Sequence, residues 1–279
     1  MHTGWRTGWL RSSWVVGLVA VIAVLVASCT AEAGGTVTEL PATDVDVVVT
    51  SIADGDSFRA ESPAGEIEVR LLGMNSPELD ECHGLPARAA LGALIENRTI
   101  GLATEPELDQ FDRVLARAVV NETYVNLQMV SDGHSLVVTD GSSDREALLG
   151  AEEVARTSEL GMWASDVCGA VGPQATLDIT DVDFDPPGPD EDESVTIINS
   201  GADPIDLVGF VLRDESSVNR FEFPDITLAS GEELTIARGC TDAGEGTISW
   251  CTEQPIWNND GDAALVLDEA GRIVAIRRH

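Results

Sequence analysis

Residues 54–78 read DGDSFRAESPAGEIEVRLLGMNSPE and establish the pattern of the first half of the chain. The stretch opens on an acidic turn, Asp54-Gly55-Asp56, and continues into 66–73, which alternates polar and apolar residues before it becomes apolar. The segment before it, 45–52, is β-branched and apolar. Strands separated by turns rich in Gly and Asp predict a hairpin or a meander.

Helical patterns follow these strands. In 86–97, Ala and Leu residues recur at helical spacing with Pro86 in the first turn, which favours a helix. The other predicted elements are a strand at 114–120, a short helix at 126–131 closed by Asp132-Gly133, and a helix at 144–159 capped by Ser143 or Asp144. Strands followed by helices indicate an α+β first domain.

The second half of the chain has a different pattern. Residues 169–174 form a linker that contains Gly and Pro, and no segment beyond them has a convincing helical period. Short apolar strands follow instead, at the spacing of a β-sandwich: Ile179, 195–198, 208–212, 234–237, 264–267 and 273–276. The second domain, 175–279, is therefore predicted to be all-β.

The charge of the chain limits how it can contact nucleic acid. Its 16 basic residues are all Arg, and 49 Asp and Glu residues leave a formal net charge of −33. Nonspecific binding to nucleic acid needs many basic phosphate contacts, so a broad electrostatic surface of that kind is excluded. A few placed Arg residues or a bound cation would have to make the contacts.

The N-terminus has the pattern of an export signal. Arg6 and Arg11 precede the uncharged stretch 14–27, WVVGLVAVIAVLVA, and small residues stand before Cys29. We interpret 1–28 as a signal peptide. The residues that lead into Cys29, V-A-S-C, resemble a bacterial lipobox, so we predict that Cys29 is lipidated and anchors the protein to the membrane.

Residues 29–43 then form a flexible tether, and two other outcomes stay open for the N-terminus. Cleavage near Ala31 or Ala33 would release a secreted protein. An uncleaved segment would act as an anchor, although it is short for a spanning helix. The predicted location is the extracellular face of the bacterial cell membrane, or the exterior.

Apart from Cys29, the chain has four cysteines, at positions 82, 168, 240 and 251. An even number in an oxidising compartment predicts two disulfides. The short spacing of Cys240 and Cys251 suggests one stapled loop, and Cys82 with Cys168 would then close a longer one. The sequence alone permits three pairings.

Three short segments, 54–57, 70–78 and 109–116, concentrate the reactive residue types. Separately, each has an ordinary interpretation as a turn, a strand end or a solvated edge. Together they supply two Arg residues, an acidic turn and one Glu. Phosphodiester hydrolysis needs this set, because cations must bind the phosphate, oxygens must hold a divalent metal, and a carboxylate must position or deprotonate water.

These segments resemble the staphylococcal nuclease-like (thermonuclease) family over 44–168. The matching pattern is the Asp-Gly-Asp turn, R-L-x-G-x-[DN]-x-P-E at 70–78, D-x-x-x-R-x-L-A at 109–116, and Ala155-Arg156 followed by Gly161-Met162-Trp163. The resemblance implies a five-stranded OB-fold barrel with helices packed on it.

The same resemblance implies roles for six residues. The implied Ca²⁺ ligands are the side-chain oxygens of Asp56 and Asn75 and the main-chain carbonyl of Ser76. The implied catalytic residues are Glu78, as general base or water-positioning carboxylate, and Arg70 and Arg113, which would bind the phosphate and stabilise its transition-state charge.

Two positions depart from the family pattern. Asn75 stands where the best-known member has Asp, which removes a charge from the implied metal site and should weaken Ca²⁺ binding. Residues 109–113, DQFDR, replace DKYGR and lose a basic residue and a hydroxyl that contact nucleotide phosphates in the family. His83 and His134 have no metal-ligating partner at a useful spacing, and we assign neither a role.

Residues 175–279 resemble the lamin-tail domain family. The segments that carry the resemblance are ESVTIINSG at 193–201, IDLVGFVLRD at 205–214, FEFP at 221–224 and WNNDGDAALVL at 257–267. The resemblance implies an immunoglobulin-like β-sandwich, whose binding partner it does not identify.

The sequence therefore predicts a monomeric, extracellular, membrane-anchored, Ca²⁺-dependent nuclease that acts on DNA, with RNA as a further candidate substrate. The alternative is a catalytically inactive surface protein that uses the barrel and the sandwich for recognition. Loss of Arg70, Glu78 or Arg113 would favour that alternative, and all three are present.

Overall fold

The computed structural model describes Met1 and residues 40–139, 143–169, 175–184, 193–216, 218–240, 244–252, 254–259 and 261–278. Everything described from Leu40 onward belongs to one compact unit. Residues 2–28 of the predicted signal peptide, the predicted lipidation site Cys29 and most of the tether lie outside the described residues, as do residues 170–174 of the predicted linker. Within the described ranges, no helix is both long and apolar enough to cross a membrane.

The described part of the first half contains eight strands: β1 (Val45–Ile52), β2 (Ser57–Ser62), β3 (Gly65–Leu71), β4 (Met74–Asn75), β5 (Thr99–Leu108), β6 (Val114–Val120), β7 (Thr123–Tyr124) and β8 (Leu136–Val137). Strands β3, β2, β1, β5 and β6 pair in that order, each antiparallel to the next. A parallel pairing of β3 with β6 closes these five strands into a barrel. The predicted OB-fold barrel is confirmed.

Alternate side chains of the barrel strands point into one apolar core. In β1, Val47 and Val49 are buried while the residue between them is exposed, as the period of a strand requires. Strand β5 has no counterpart in the sequence prediction, because its second half is polar and contains Pro106. The β5–β6 pairing shifts register between Thr104 and Leu108, and Pro106 lies in that irregular stretch, where a missing N–H is tolerated.

Among the described residues, three α-helices pack on the barrel: α1 (Gly84–Ile95), α2 (Val125–Ser131) and α3 (Arg145–Thr157). Their ends lie within two residues of the predicted ones. Asp144, one of the two predicted capping residues, occupies the N-cap position of α3, but the expected side-chain cap is absent. Its carboxylate instead accepts hydrogen bonds from Arg117 Nε, 3.2 Å away, and the Tyr124 hydroxyl.

The described part of the second half contains ten strands: β9 (Leu177–Asp183), β10 (Ser194–Asn199), β11 (Ile205–Asp206), β12 (Val211–Arg213), β13 (Arg220–Glu222), β14 (Thr227–Leu228), β15 (Glu233–Ala237), β16 (Thr247–Ser249), β17 (Ala263–Leu267) and β18 (Ile273–Arg278). One four-stranded sheet has the order β16-β15-β10-β9, and another has the order β13-β12-β17-β18. Both contribute to one apolar core, which confirms the predicted sandwich.

The predicted strand at 208–212 begins later than expected, at Val211. The preceding residues form a turn, in which Phe210 N–H donates to the Leu207 carbonyl and Gly209 has φ of +83°. Only a residue without Cβ adopts that backbone conformation readily. The apolar sequence therefore predicts a strand at residues that form a turn.

A third apolar cluster joins the two halves of the molecule. Strand β17 is buried along its whole length. Its residues Ala264 and Val266 belong to the sandwich core, whereas the alternate residues pack against the first half, in a cluster of Leu136, Met162, Ala263, Leu265 and Leu267. A strand that is covered on both faces has a continuous apolar sequence, which explains why this one lacks polar alternation.

The described residues contain two disulfides. Cys82 bonds to Cys168 with a Cα–Cα distance of 5.5 Å and closes a loop across the first half. Cys240 bonds to Cys251 over a sequence separation of 11 and staples one loop of the sandwich.

Candidate active site

A cavity of about 460 Å³ contains most of the predicted site residues. Both halves of the molecule line it. The first half contributes Asp54, Asp56, Arg70, Asn75, Glu78 and Arg113, and the second half contributes Glu215, Ser216, Val218 and Asn258.

The acidic turn brings Asp56 into this cavity. The Asp56 N–H donates to Asp54 Oδ1 over 2.9 Å, an interaction typical of Asx turns. A Cβ on Gly55 would stand 2.5 Å from Ser76 Oγ and 2.8 Å from Ala87 Cβ, so the turn backbone packs directly on its neighbours. Asp56 is only 4% exposed, and its Oδ2 accepts the Ser76 N–H over 2.7 Å.

Arg70 links two of the predicted metal ligands. Its guanidinium forms an ion pair with Asp56 Oδ1 and donates from Nη2 to Asn75 Oδ1 over 2.7 Å. Burial lowers the pKa of Arg70 to about 10, and the neighbouring Arg113 acts in the same direction while Asp54 opposes both. Arg70 remains a cation at neutral pH, close to an acidic turn.

The short strand β4 fixes Asn75, and the chain then passes into Ser76. Strand β4 pairs with β8, where Asn75 lies opposite Leu136. Asn75 Nδ2 donates to the Glu215 carbonyl, 3.0 Å away in the second half of the chain. Ser76 is buried, and its hydroxyl lies 2.6 Å from the Ser135 hydroxyl.

Glu78 is the exposed carboxylate of the cavity. Its backbone is held by a tight turn, because its carbonyl accepts the Glu81 N–H over 2.9 Å and its N–H donates to Glu81 Oε2 over 3.1 Å. Partial burial raises the pKa of Glu78, and the negative charges of Asp54 and Glu81 raise it further. A raised pKa makes a carboxylate a stronger base.

Arg113 enters the cavity from the loop between β5 and β6. Asp109 organises this loop: its Oδ1 accepts the backbone N–H groups of Phe111 and Arg113, each over 2.9 Å, and its Oδ2 accepts Arg113 Nε over 2.7 Å. Arg113 Nη1 also donates to Ser57 Oγ over 3.3 Å, and its guanidinium carbon lies 5.3 Å from the Phe111 ring centroid.

Two family models match this chain. Residues 68–165 match the model described as staphylococcal nuclease homologue, and residues 170–279 match the lamin tail domain. The chain contains a staphylococcal nuclease-like domain followed by a lamin tail domain. The first match begins inside β3, whereas the barrel itself begins at Val45.

Curated relatives match part of this chain at low identity. "Probable staphylococcal-like nuclease CAN2" from Oryza sativa subsp. japonica is 29% identical over 102 residues, which cover 37% of this chain and 27% of that protein. "Protein ParB" from Escherichia coli is 28% identical over 126 residues, 42% of this chain and 71% of that protein. The match therefore spans about a quarter of the rice relative.

The nuclease-like domain provides oxygen donors suited to a hard divalent cation. Asp56 contributes a carboxylate and Asn75 an amide oxygen, and both contact the one Arg70 guanidinium. Ca²⁺ prefers carboxylate, amide and carbonyl oxygens. Within the described residues, no three His, Cys, Asp or Glu side chains form a metal-binding cluster.

The structure also brings together residues that the sequence analysis did not assign. Glu215 of the lamin tail domain reaches the cavity of the nuclease-like domain, although 140 residues separate it from Asn75. His83 and His134 form a stacked pair with Nε2 and Nδ1 2.9 Å apart. Neither pairing has a local sequence signal, because each depends on a tertiary contact.

Proposed function

We propose that this protein is a Ca²⁺-dependent nuclease that hydrolyses phosphodiester bonds of DNA, with RNA as a second candidate substrate. One observation carries the proposal: Arg70, Glu78 and Arg113 line the same cavity as Asp56 and Asn75. The match to the staphylococcal nuclease homologue model and the named nuclease relative support it.

Each polar group has a distinct task in this proposal. Glu78 takes a proton from a water molecule as the water oxygen attacks phosphorus, while the bond from phosphorus to the leaving oxygen breaks. Arg70 and Arg113 donate hydrogen bonds to the phosphate oxygens and stabilise the added negative charge. Asp109 keeps Arg113 directed into the cavity.

The proposed metal ligands are Asp56, Asn75 and the Ser76 carbonyl. A bound Ca²⁺ would supply Lewis-acid stabilisation of the phosphate charge. The same residues also orient Arg70, since Asp56 and Asn75 both accept its guanidinium N–H groups.

The negative charge of the protein should affect how strongly it binds a nucleic acid substrate. A net charge of −33 repels a polyanion, and the phosphate-binding Arg residues stand beside acidic ones. Salt screens such repulsion over a Debye length of about 10 Å at 0.1 M. We therefore expect cleavage to increase from low to moderate salt, the reverse of a nuclease that binds through a basic surface.

We also propose that the protein acts outside the cell as a lipid-anchored monomer. The leader 1–28 and Cys29 carry this part of the proposal, and the two disulfides fit an oxidising compartment. The domain limits that we propose are 44–168 and 175–279. Incorporation of labelled fatty acid into the wild type, and its loss in Cys29→Ser, tests the anchor.

The nuclease assay uses the full chain purified in detergent, with single-stranded DNA, Ca²⁺ or EDTA, and a salt series. Glu78→Ala is the test variant, and Glu61→Ala, an exposed position on β2 outside the cavity, is the matched control. We expect Ca²⁺-dependent cleavage that Glu78→Ala lowers by about 100-fold or more and Glu61→Ala leaves unchanged. Circular dichroism checks that both variants are folded.

Absence of cleavage by folded wild-type protein at every salt concentration would refute the nuclease. The alternative would then apply, in which the barrel and the sandwich recognise a ligand without cutting it. The changed loop 109–113 and Asn75 would be the residues to examine first, because they depart from the nuclease pattern.

A further inference from the structure

The lamin tail domain extends a loop into the proposed active site. Residues 214–216, which follow β12, and Val218 lie in this loop, and Glu215, Ser216 and Val218 line the 460 Å³ cavity. Glu215 is a carboxylate and yet only 4% exposed. Burial of a charged side chain is costly unless partners compensate it, so its contacts indicate a defined position.

Contacts from both domains hold Glu215. Its Oε1 accepts the backbone N–H of Thr139, and its Oε2 lies 3.3 Å from Arg278 Nη1. Arg278 in turn donates from Nη2 to both carboxylate oxygens of Glu152 on α3, each over 2.7 Å. The loop is therefore fixed to the nuclease-like domain close to the cavity.

The main chain of Glu215 contacts a predicted metal ligand. Its carbonyl accepts a hydrogen bond from Asn75 Nδ2 over 3.0 Å, while Asn75 Oδ1 accepts one from Arg70 Nη2 over 2.7 Å. The reversed amide would place its NH₂ against a guanidinium and its oxygen against a carbonyl. Only one orientation satisfies both neighbours, so the amide oxygen stays on the Arg70 side.

We propose that Glu215 is a positioning residue that orients Asn75, so that the lamin tail domain completes the active site of the nuclease-like domain. This inference rests on the proposed nuclease function. It also gives a physical reason for Asn at position 75, because an Asp there has no N–H to donate to the Glu215 carbonyl at neutral pH. In this proposal the lamin tail domain contributes to the geometry of the active site and is not only a neighbouring module.

The first test observes the contact directly and requires no activity. The full chain is labelled with ¹⁵N-Asn, and the Asn75 side-chain NH₂ signal is assigned by its loss in Asn75→Asp. Glu215→Ala removes the side chain that fixes the loop, and Glu222→Ala, exposed on β13, is the matched control. We expect the Asn75 signal to shift in Glu215→Ala and to stay in place in Glu222→Ala. An unmoved signal in folded Glu215→Ala would overturn the proposal.

The second test asks whether Glu215 acts through Asn75. We expect Glu215→Ala to lower kcat/KM by about 10- to 100-fold, the usual effect of removing support from a metal ligand. In an Asn75→Ala background the same change should have less than about a twofold effect, since the residue it positions is gone. Equal effects in both backgrounds would indicate general destabilisation and overturn the proposal.

A third variant covers the case in which Glu215→Ala does not fold. Asn75→Asp keeps Glu215 intact but opposes its carbonyl with a carboxylate, so at saturating Ca²⁺, where the added charge no longer affects occupancy, we expect an activity loss of about tenfold or more. Activity at or above the wild-type level would overturn the proposal. Inactivity of the wild type would refute the nuclease function instead. The NMR experiment would then be the remaining test of the Glu215–Asn75 contact.

Discussion

Arg113 Nε donates to Asp109 Oδ2 over 2.7 Å, and the other oxygen of the same carboxylate accepts the Arg113 backbone N–H. One side chain thus fixes both the loop and the guanidinium that the loop carries. The arrangement orients Arg113 before substrate binds. In the proposed nuclease, such orientation would lower the entropic cost of placing a cation on the phosphate.

We predict that Asp109→Asn lowers kcat/KM for DNA cleavage by about 10- to 100-fold, because small misplacement of a catalytic group has effects of that size. Asp112→Asn is the control: it removes the same charge from the same loop, and Asn tolerates the left-handed backbone that Asp112 adopts, with φ of +63°. Steady-state kinetics on single-stranded DNA compare the two variants. Equal activity in both would contradict a positioning role for Asp109.

The sequence predicts features that depend on local residue patterns better than features that depend on tertiary contacts. The β-branched, apolar composition of 45–52 predicts β1, and the observed helix ends differ from the predicted ones by two residues at most. The motifs at 54–57, 70–78 and 109–116 predict a shared cavity only through the resemblance to a family. Their ordinary local interpretations do not bring them together.

Other features have no local signal to detect. The second half of β5 is polar and contains Pro106, so its sequence does not resemble a strand, and only the register shift explains how it pairs. The contact from Asn75 to Glu215 uses a main-chain carbonyl, which every residue type has. The apolar run of β17 does signal burial on both faces, but it does not identify the partner surface.

The acid limb of the pH–rate profile should report Glu78. Burial first, and then Asp54, raises its pKa, so a base at this position loses its proton at a higher pH than an ordinary Glu does. Asp54→Asn keeps an oxygen to accept the Asp56 N–H but removes one negative charge. The Glu78 pKa should then fall, and the acid limb of kcat/KM should move to lower pH.

The matched control for this shift is Asp80→Asn. Asp80 also raises the Glu78 pKa, but less than Asp54 does. Its removal should therefore move the acid limb less than Asp54→Asn does. Profiles measured at fixed ionic strength make the comparison, and an acid limb that stays in place in Asp54→Asn would argue against Glu78 as the base.

The ion pair between Arg278 and Glu152 should contribute substantially to stability. Their side chains are 17% and 8% exposed, and removal of one partner leaves a nearly buried charge. We expect Arg278→Ala to lower the free energy of unfolding by about 3–5 kcal/mol. Urea denaturation followed by tryptophan fluorescence measures this change.

An ion pair within helix α3, which also carries Glu152, provides the comparison. Arg156 pairs with Glu153, but their side chains are 48% and 56% exposed. Arg156→Ala should therefore cost only about 0–1 kcal/mol. Similar losses in the two variants would mean that burial of the Arg278–Glu152 pair does not determine its contribution.

The pair of His83 and His134 should make stability depend on pH. Burial, aided by the neighbouring His134, lowers the pKa of His83 to about 4 from its ordinary value of 6.5. Between these values the unfolded chain binds a proton that the folded chain does not. The free energy of unfolding should therefore fall as pH drops from about 6.5 to about 4.

His83→Asn should reduce this dependence. His83 has φ of +68°, a backbone conformation that Asn tolerates, and the amide retains hydrogen-bonding capacity toward His134. Carboxylates that titrate in the same range contribute equally to both proteins, so the difference between wild type and variant isolates the imidazole. Thermal unfolding at pH 7.5 and pH 5 measures it. The variant should lose less stability than the wild type on acidification, because its unfolded state lacks the imidazole that takes up the proton. Identical losses in the two proteins would exclude His83 as a source of acid sensitivity.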